Sequence, residues 1–486
     1  MEVKSVKFNF IMNFILTASS ILFPLITFPY VSRILLPVGN GKVAFALSVV
    51  TYFAMFASLG IPTYGIRACA KVRDDREELS KVTQELMIIN GIVTAFVMVL
   101  LGIAIAVVPK FQEERELLII ASVTIIFNFI GVLWFYSALE QYEYITTRTI
   151  IFKLLALILM FVFVREMEDY KVYCAITVIA GGGSNVLNFL NLRKYISFRK
   201  VGTYEFHRHM KPILVFFAMS AAISVYTNLD VVMLGFMTSD IEVGYYNAAI
   251  KVKVLLISLI TSLGTVLLPR LSYYLETGNE EKFREMIEKA FNFVWIFGTS
   301  VMVYFILFAE ESILFLAGSE FLGAVTPMIW LMPTVLLVGL SNVSGIQMLT
   351  PMGLEKRVLI SILWGAGLDL VLNLVLISQM GATGAAIATL VAELAVFVVQ
   401  IYYLRDYQIR EILLKTSIRP VVIACVVASV VSLGVVEAVT VSVFFTLCIS
   451  GVVFFGIYGG ILWGMKEPFV VENGKLIIQF IRNKRG

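Results

Sequence analysis

Three observations predict that this chain is an all-α polytopic membrane protein. Apolar stretches of spanning length, about fourteen of them, recur from one end to the other between short polar loops. Of its 486 residues 59% are hydrophobic and only 15% charged, with a mean hydropathy of +0.90, and no water-soluble core with a polar exterior accommodates that balance. The apolar runs are near-continuous over about 20 residues, whereas barrel strands would alternate over about 10, so helices are expected.

In order, the spans are read at residues 9–32, 43–64, 84–108, 117–139, 149–164, 172–192, 212–235, 245–269, 290–309, 325–349, 358–378, 382–404, 420–436 and 442–463. The first follows Lys4 and Lys7 as a signal peptide would. Its apolar run to Tyr30 is longer than a signal core and contains Pro24 and Pro29, so it is expected to be retained. Along it Asn9, Asn13, Thr17, Ser20, Pro24 and Thr27 fall within an arc of about 80°. The second span ends at Gly60 and Pro62, and a basic stretch follows from Arg67 to Lys81. Lys153 and Lys251 lie about five to six residues inside the fifth and eighth spans, within reach of the interface by snorkelling. The sixth span sets Thr177, Ser184, Asn188 and Asn191 on one face, and the seventh does so with Ser220, Ser224, Thr227 and Asn228. In the eighth, Asn247, Lys251, Ser258, Thr261, Ser262 and Thr265 lie within about 100° of one another while Lys253 points elsewhere. Such stripes either cement helices in lipid or line a water-filled cavity. Asp369, with Asn373 one turn on, and Glu393 sit near the middle of the eleventh and twelfth spans, and Asp230 lies nearer the end of the seventh.

With the N-terminus inside, about 29 of the 38 Lys and Arg residues fall in cytoplasmic segments, which places both termini in the cytoplasm. The stretches Arg67–Lys81 and Arg193–Lys211 and the tail with Arg482, Lys484 and Arg485 are read as this topology signal, so lipid is a partner and nucleic acid is not. The net charge of +4 reflects the same address. His207 and His209, the only 2 histidines, are placed in a loop, which argues against an intramembrane histidine relay. Cys69, Cys174, Cys425 and Cys448 have neither disulfide nor metal-site spacing, so no metal or cofactor is expected.

A faint self-similarity at an offset of about 203 residues pairs Gly41 with Gly244, Arg67 with Arg270 and Glu78 with Glu281. A second, at about 212, pairs Thr177, Arg193 and Tyr195 with Thr389, Arg405 and Tyr407. The expected organisation is an N-terminal lobe (1–195), a cytoplasmic linker (196–211), a C-terminal lobe (212–407), and two further helices with a cytoplasmic tail (408–486). Six spans per repeat give two pseudo-symmetric lobes of the same orientation. Gly60, Pro62, Gly264 and Pro269, with Pro24 and Pro29, stand where helices could hinge.

The run Trp134-Phe135-Tyr136, Leu139-Glu140-Gln141-Tyr142, Arg148, Lys153 and Asp169-Tyr170 resembles Wzx-type oligosaccharide-lipid flippases of the multidrug/oligosaccharidyl-lipid/polysaccharide (MOP) exporter superfamily. The resemblance continues through Leu229 to Gly235, Val243 to Asn247, Leu349 to Lys356 and Gly381 to Ala386, and so covers nearly the whole chain. It implies a bacterial inner-membrane flippase that moves undecaprenyl-diphosphate-linked oligosaccharide repeat units by alternating access, coupled to H⁺ or Na⁺, alongside polysaccharide polymerase and assembly proteins. Diphosphate and glycan cannot cross about 30 Å of hydrocarbon unaided, which is why such a protein is needed. Carried onto this chain, Arg33, Arg67, Lys153, Lys251 and Arg270 are candidate diphosphate contacts. Asn13, Asn247 and Tyr52 are candidate sugar contacts, and Asp230, Asp369 and Glu393 candidates for ion coupling. Positive-inside bias is the competing reading of Arg67 and Arg270.

Two rivals stand against this expectation. A cation-coupled drug exporter of the same superfamily should have a cavity dominated by acids, whereas here lysines accompany them. A membrane-embedded glycan polymerase or transferase needs substantial non-cytoplasmic loops, and the longest here runs only from Glu310 to Ala324. No phosphate-cradling Gly-Lys-Ser/Thr motif is present, so ATP hydrolysis is not expected.

Overall fold

The computed structural model describes residues 6–407, 409–414, 418–438 and 441–474, so Lys4 and the basic tail residues Arg482, Lys484 and Arg485 lie outside the described residues. Every regular element among the described residues is helical. Contacts divide the chain into two units, residues 1–247 and 248–486.

The first unit opens with α1 (Val6–Ser58), 53 residues whose backbone leaves the helical region at Leu36, with φ 55° and ψ 179°. Leu36 precedes Pro37, and the proline ring disfavours helical geometry at the residue before it. A second break at Leu59 and Gly60, both with positive φ, starts α2 (Ile61–Lys71). Next comes α3 (Arg76–Val107), capped by Asp75, whose carboxylate accepts from the Glu77 and Glu78 amides, with both glutamates placed to favour the helix dipole. Then follow α4 (Pro109–Glu113), α5 (Arg115–Gly131), α6 (Leu133–Ala138) and α7 (Tyr142–Phe163). The sixth predicted span is α8 (Tyr170–Val178), a π turn over Ile179–Gly183, and α9 (Asn185–Leu192). α10 (His207–Met237) closes the unit.

α1 packs on α3, α5, α7 and α10. Trp134, Phe135 and Tyr136 are buried with Ile61, Leu86 and Ile213, so this part of the family-like motif packs inside the unit. The repeat-related glycines meet here. A Cβ on Gly41 would stand 1.7 Å from the Asp240 carbonyl oxygen, and one on Gly244 would stand 2.2 Å from that of Pro37. Only glycine permits that crossing of the two segments.

α11 (Asp240–Glu276) carries the chain into the second unit. There follow α12 (Glu280–Phe293), capped by Asn279, then a π turn over Val294–Gly298, α13 (Thr299–Leu307) and α14 (Ala309–Leu316). The loop expected from Glu310 to Ala324 is thus largely helical, since a 3₁₀ turn also covers Ser319–Ala324. α15 (Val325–Ser341) continues as a π helix over Asn342–Leu349. α16 (Glu355–Tyr403) is broken at Gly381, whose φ of 54° and ψ of −131° suit only glycine. α17 (Ile409–Leu414), α18 (Ile418–Ala438) and α19 (Val443–Gly464) complete the chain, with α18 and α19 packed on each other and on α13 around Tyr304, Phe454 and Val421.

Eleven helices among the described residues are long and apolar enough to cross a membrane, or twelve if the bent pair His207–Ser224 and Tyr226–Met237 is one span. The expected count of about fourteen is therefore not reproduced as separate helices. Ile11–Lys71 and Glu355–Tyr403 each run through two predicted spans, because the breaks at Leu36 and Gly381 bend the chain without a non-helical loop. Phe96 at 62% and Val452 at 76% exposure show the apolar exterior that lipid requires.

Candidate substrate site

Lys153 projects from α7 onto the polar side of α1, where its ammonium donates to Ser19 Oγ at 3.0 Å and Ser20 Oγ at 2.9 Å. Both hydroxyls give their own protons to the Leu16 carbonyl, which leaves their lone pairs for the lysine. No carboxylate pairs with Lys153 among the described residues. Asn13 and Thr17 continue the same exposed stripe, with the Thr17 hydroxyl turned back onto the Asn13 carbonyl at 2.9 Å. In the second unit Lys251 is half-buried on α11 and makes neither hydrogen bond nor ion pair among the described residues. A cation held at membrane depth without a counter-ion is costly.

The other predicted residues are dispersed. Arg33 is exposed on α1, with Nη1 donating to the Pro29 carbonyl. By helical rise it stands about 20 Å from Ser20, so one phosphate group does not meet both Arg33 and Lys153. Arg67 is exposed on α2 and Arg270 on α11, while Tyr52 and Asn247 are half-buried. Asp230 is buried on α10 and accepts the Tyr246 hydroxyl proton, which joins two of the family-like segments. Asp369, Asn373 and Glu393 are buried on α16, the first two before Gly381 and the third after it.

Two charged clusters were not anticipated. His209, expected in a loop, lies in the first turn of α10 at 2% exposure, its Nε2 2.7 Å from a Glu85 carboxylate oxygen and its Nδ1 2.8 Å from the Tyr64 hydroxyl. Glu85, fully buried, also accepts from Arg208 at 2.7 Å and from the Glu205 amide at 2.6 Å. Lys81 bonds Glu205 beside them and holds that exposed carboxyl below the usual carboxylate range. The signal existed: Glu85 is an ionisable residue just inside the third predicted span. At the other end of the unit, Lys42 pairs with buried Glu114 at 2.5 Å, and Lys110 pairs with Asp240 at 3.0 Å. Lys42 lies on α1, Lys110 on α4 and Asp240 at the start of α11, segments whose meeting no local pattern announces.

A family model described as polysaccharide biosynthesis protein matches residues 6–275, more than half of the chain. The chain belongs to the polysaccharide biosynthesis protein family. Among the relatives of this family member, one named "Putative O-antigen transporter" from Escherichia coli (strain K12) is 25% identical over 405 residues, 83% of this chain and 97% of its own. A protein of the same name from Shigella dysenteriae is 26% identical over 80% of this chain and 98% of its own. The fold is that of the lipid II flippase MurJ, in an inward closed conformation, with a TM-score of 0.72 at 15% identity over 94% of this chain and 99% of that one. It is shared by an inward-facing multidrug resistance MATE transporter of the MOP superfamily, with a TM-score of 0.61 at 17% identity over 82% of this chain and 96% of that one. These relatives are named as putative transporters, and the two solved neighbours are a lipid II flippase and a multidrug transporter.

Proposed function

We propose that this protein flips an undecaprenyl-diphosphate-linked oligosaccharide repeat unit across the bacterial inner membrane by ion-coupled alternating access, for polysaccharide biosynthesis. The observation that carries the reading is the pair of in-span lysines, Lys153 and Lys251, held without acidic partners among the described residues. Cations so placed suit a diphosphate and repel a cationic drug. The O-antigen transporter name of the E. coli relative points to the same class of cargo.

In this reading the prenyl chain stays in lipid while the headgroup crosses. Asn13, about two turns along α1 from Ser20, and Tyr52 and Asn247 are candidate glycan contacts. Asp230, Asp369 and Glu393, buried carboxylates within spans, are candidates for a driving H⁺ or Na⁺. Both termini lie in the cytoplasm, and polymerase and assembly proteins act next on the cargo.

The test is translocation of the lipid-linked oligosaccharide in proteoliposomes under an imposed H⁺ or Na⁺ gradient, scored by lectin access to the glycan. Gradient-stimulated movement above empty liposomes supports the reading. Absence of movement in folded protein, together with gradient-driven efflux of a cationic dye, would replace it with the drug-exporter reading.

A further inference from the structure

Within the first unit a cavity of about 250 Å³ opens between the end of α1, α3, and the junction of α5 with α6. Two helix breaks make it. Leu59 and Gly60, between the lining residues Ser58 and Pro62, have φ of 45° and 73°, and Val132, next to the lining Leu133, has a φ of 39°. Positive φ is rare for a β-branched residue, and broken backbone at membrane depth persists only where it is buried in protein or lines a cavity. Asn90 meets part of the cost by donating to the freed Ala57 carbonyl at 2.7 Å.

The lining has a definite chemistry. It contains no ionisable side chain, so neither a diphosphate nor an ion belongs there. Ser58, Asn90, Thr94 and Asn128 supply hydroxyl and amide groups, while Trp134 and Phe129 supply aromatic surface. Pro62 and Asn128 are exposed at the mouth, and Asn90 and Thr94 are buried at the floor. Thr94, 7% exposed, has a hydroxyl with no hydrogen-bond partner among the described residues. A buried hydroxyl left unsatisfied is a standing cost that a ligand with its own hydroxyl or amide would remove. An acyl chain would leave that hydroxyl, and the Asn128 amide, as they are.

We propose that this cavity is a binding site for one neutral sugar residue, its C–H face against Trp134 and its hydroxyl or acetamido groups toward Thr94 and Asn128. A cavity of this size has room for one sugar ring. Trp134 is held in place from behind, since a Cβ on Gly65 would come within 2.6 Å of its ring. The inference rests on the glycan-carrying reading above and adds a neutral subsite apart from the lysines that face phosphate.

The test uses the full chain in nanodiscs with Trp134 as its sole tryptophan, the other four of its 5 being replaced by Phe. Fluorescence is titrated with methyl glycosides of a hexose, a 6-deoxyhexose and an N-acetylhexosamine. If those replacements unsettle the fold, the wild-type chain compared with Trp134→Phe isolates the same signal. The expected result is a saturable change with at least one glycoside. It should weaken at least about fivefold in Thr94→Val, which removes only the hydroxyl, and vanish in Thr94→Phe, which fills the space. No saturable change with any glycoside would overturn the proposal. So would quenching of Trp134 by dibrominated acyl chains that no glycoside relieves, which would make the cavity a lipid site. Translocation is measured on the same protein: transport without a pocket response sinks the subsite alone, and a pocket response without transport keeps the subsite and sinks the flippase reading.

Discussion

Gly41 and Gly244 have no room for a side chain, with backbone oxygens at 1.7 and 2.2 Å from where a Cβ would sit. Backbone cannot move aside as a flexible side chain can, so Gly41→Ala and Gly244→Ala should each cost about 1–3 kcal/mol. Thermal unfolding in detergent should show a lower midpoint for both, and unchanged midpoints would refute the crossing. Glu85 collects Arg208, His209 and the Glu205 amide around one buried carboxylate. Removing one partner of a buried charged pair costs about 3–5 kcal/mol, reduced here because Arg208 is a third exposed, so Glu85→Ala should lose roughly 2 kcal/mol and Glu85→Gln less. Wild-type stability in Glu85→Gln would show that the carboxylate charge contributes nothing. For Lys153 the expected effect is on transport rather than folding. Lys153→Met and Lys251→Ala should insert normally and slow translocation at least about tenfold, as expected if each supplies a charge-assisted contact to phosphate. Normal transport in Lys251→Ala would remove it from the cargo path.

Helix boundaries follow local chemistry that can be read residue by residue. Asp75 before Glu77 and Glu78, and Asn279 before Glu280 and Glu281, cap α3 and α12 by chemistry written in the chain. Asp75→Ala should therefore cost about 1 kcal/mol of stability without changing translocation per folded molecule, as compared by unfolding and proteoliposome assays. Breaks were less legible. Pro37 predicts trouble at Leu36, but Val132 carries its positive φ with no glycine or proline beside it to announce the turn except Gly131. Nor does any sequence rule mark the π turns over residues 179–183, 294–298 and 342–349, because the added residue in a turn is retained by packing between helices.

At the scale of the whole molecule, the Lys and Arg asymmetry makes a prediction independent of any site: reporters fused to the two termini should both report the cytoplasm. A reporter active on opposite sides would change the number of crossings from even to odd and with it the assignment of every loop. The amino-acid sequence by itself determined that the protein is a helical membrane protein, since hydropathy, span length and charge asymmetry are linear properties that bilayer thickness converts directly into structure. It also identified Lys153 as costly at its depth. What only the tertiary structure decided is which groups meet: Lys153 with Ser19 and Ser20, Glu85 with His209, Lys42 with Glu114, and the polar cavity beside Trp134. Those partners lie more than 70 positions apart in the chain, as with Lys42 and Glu114 at 72 and Lys153 and Ser19 at 134. Periodicity assigns a residue to a face of its own helix, but which other helix covers that face is set by packing across the whole unit.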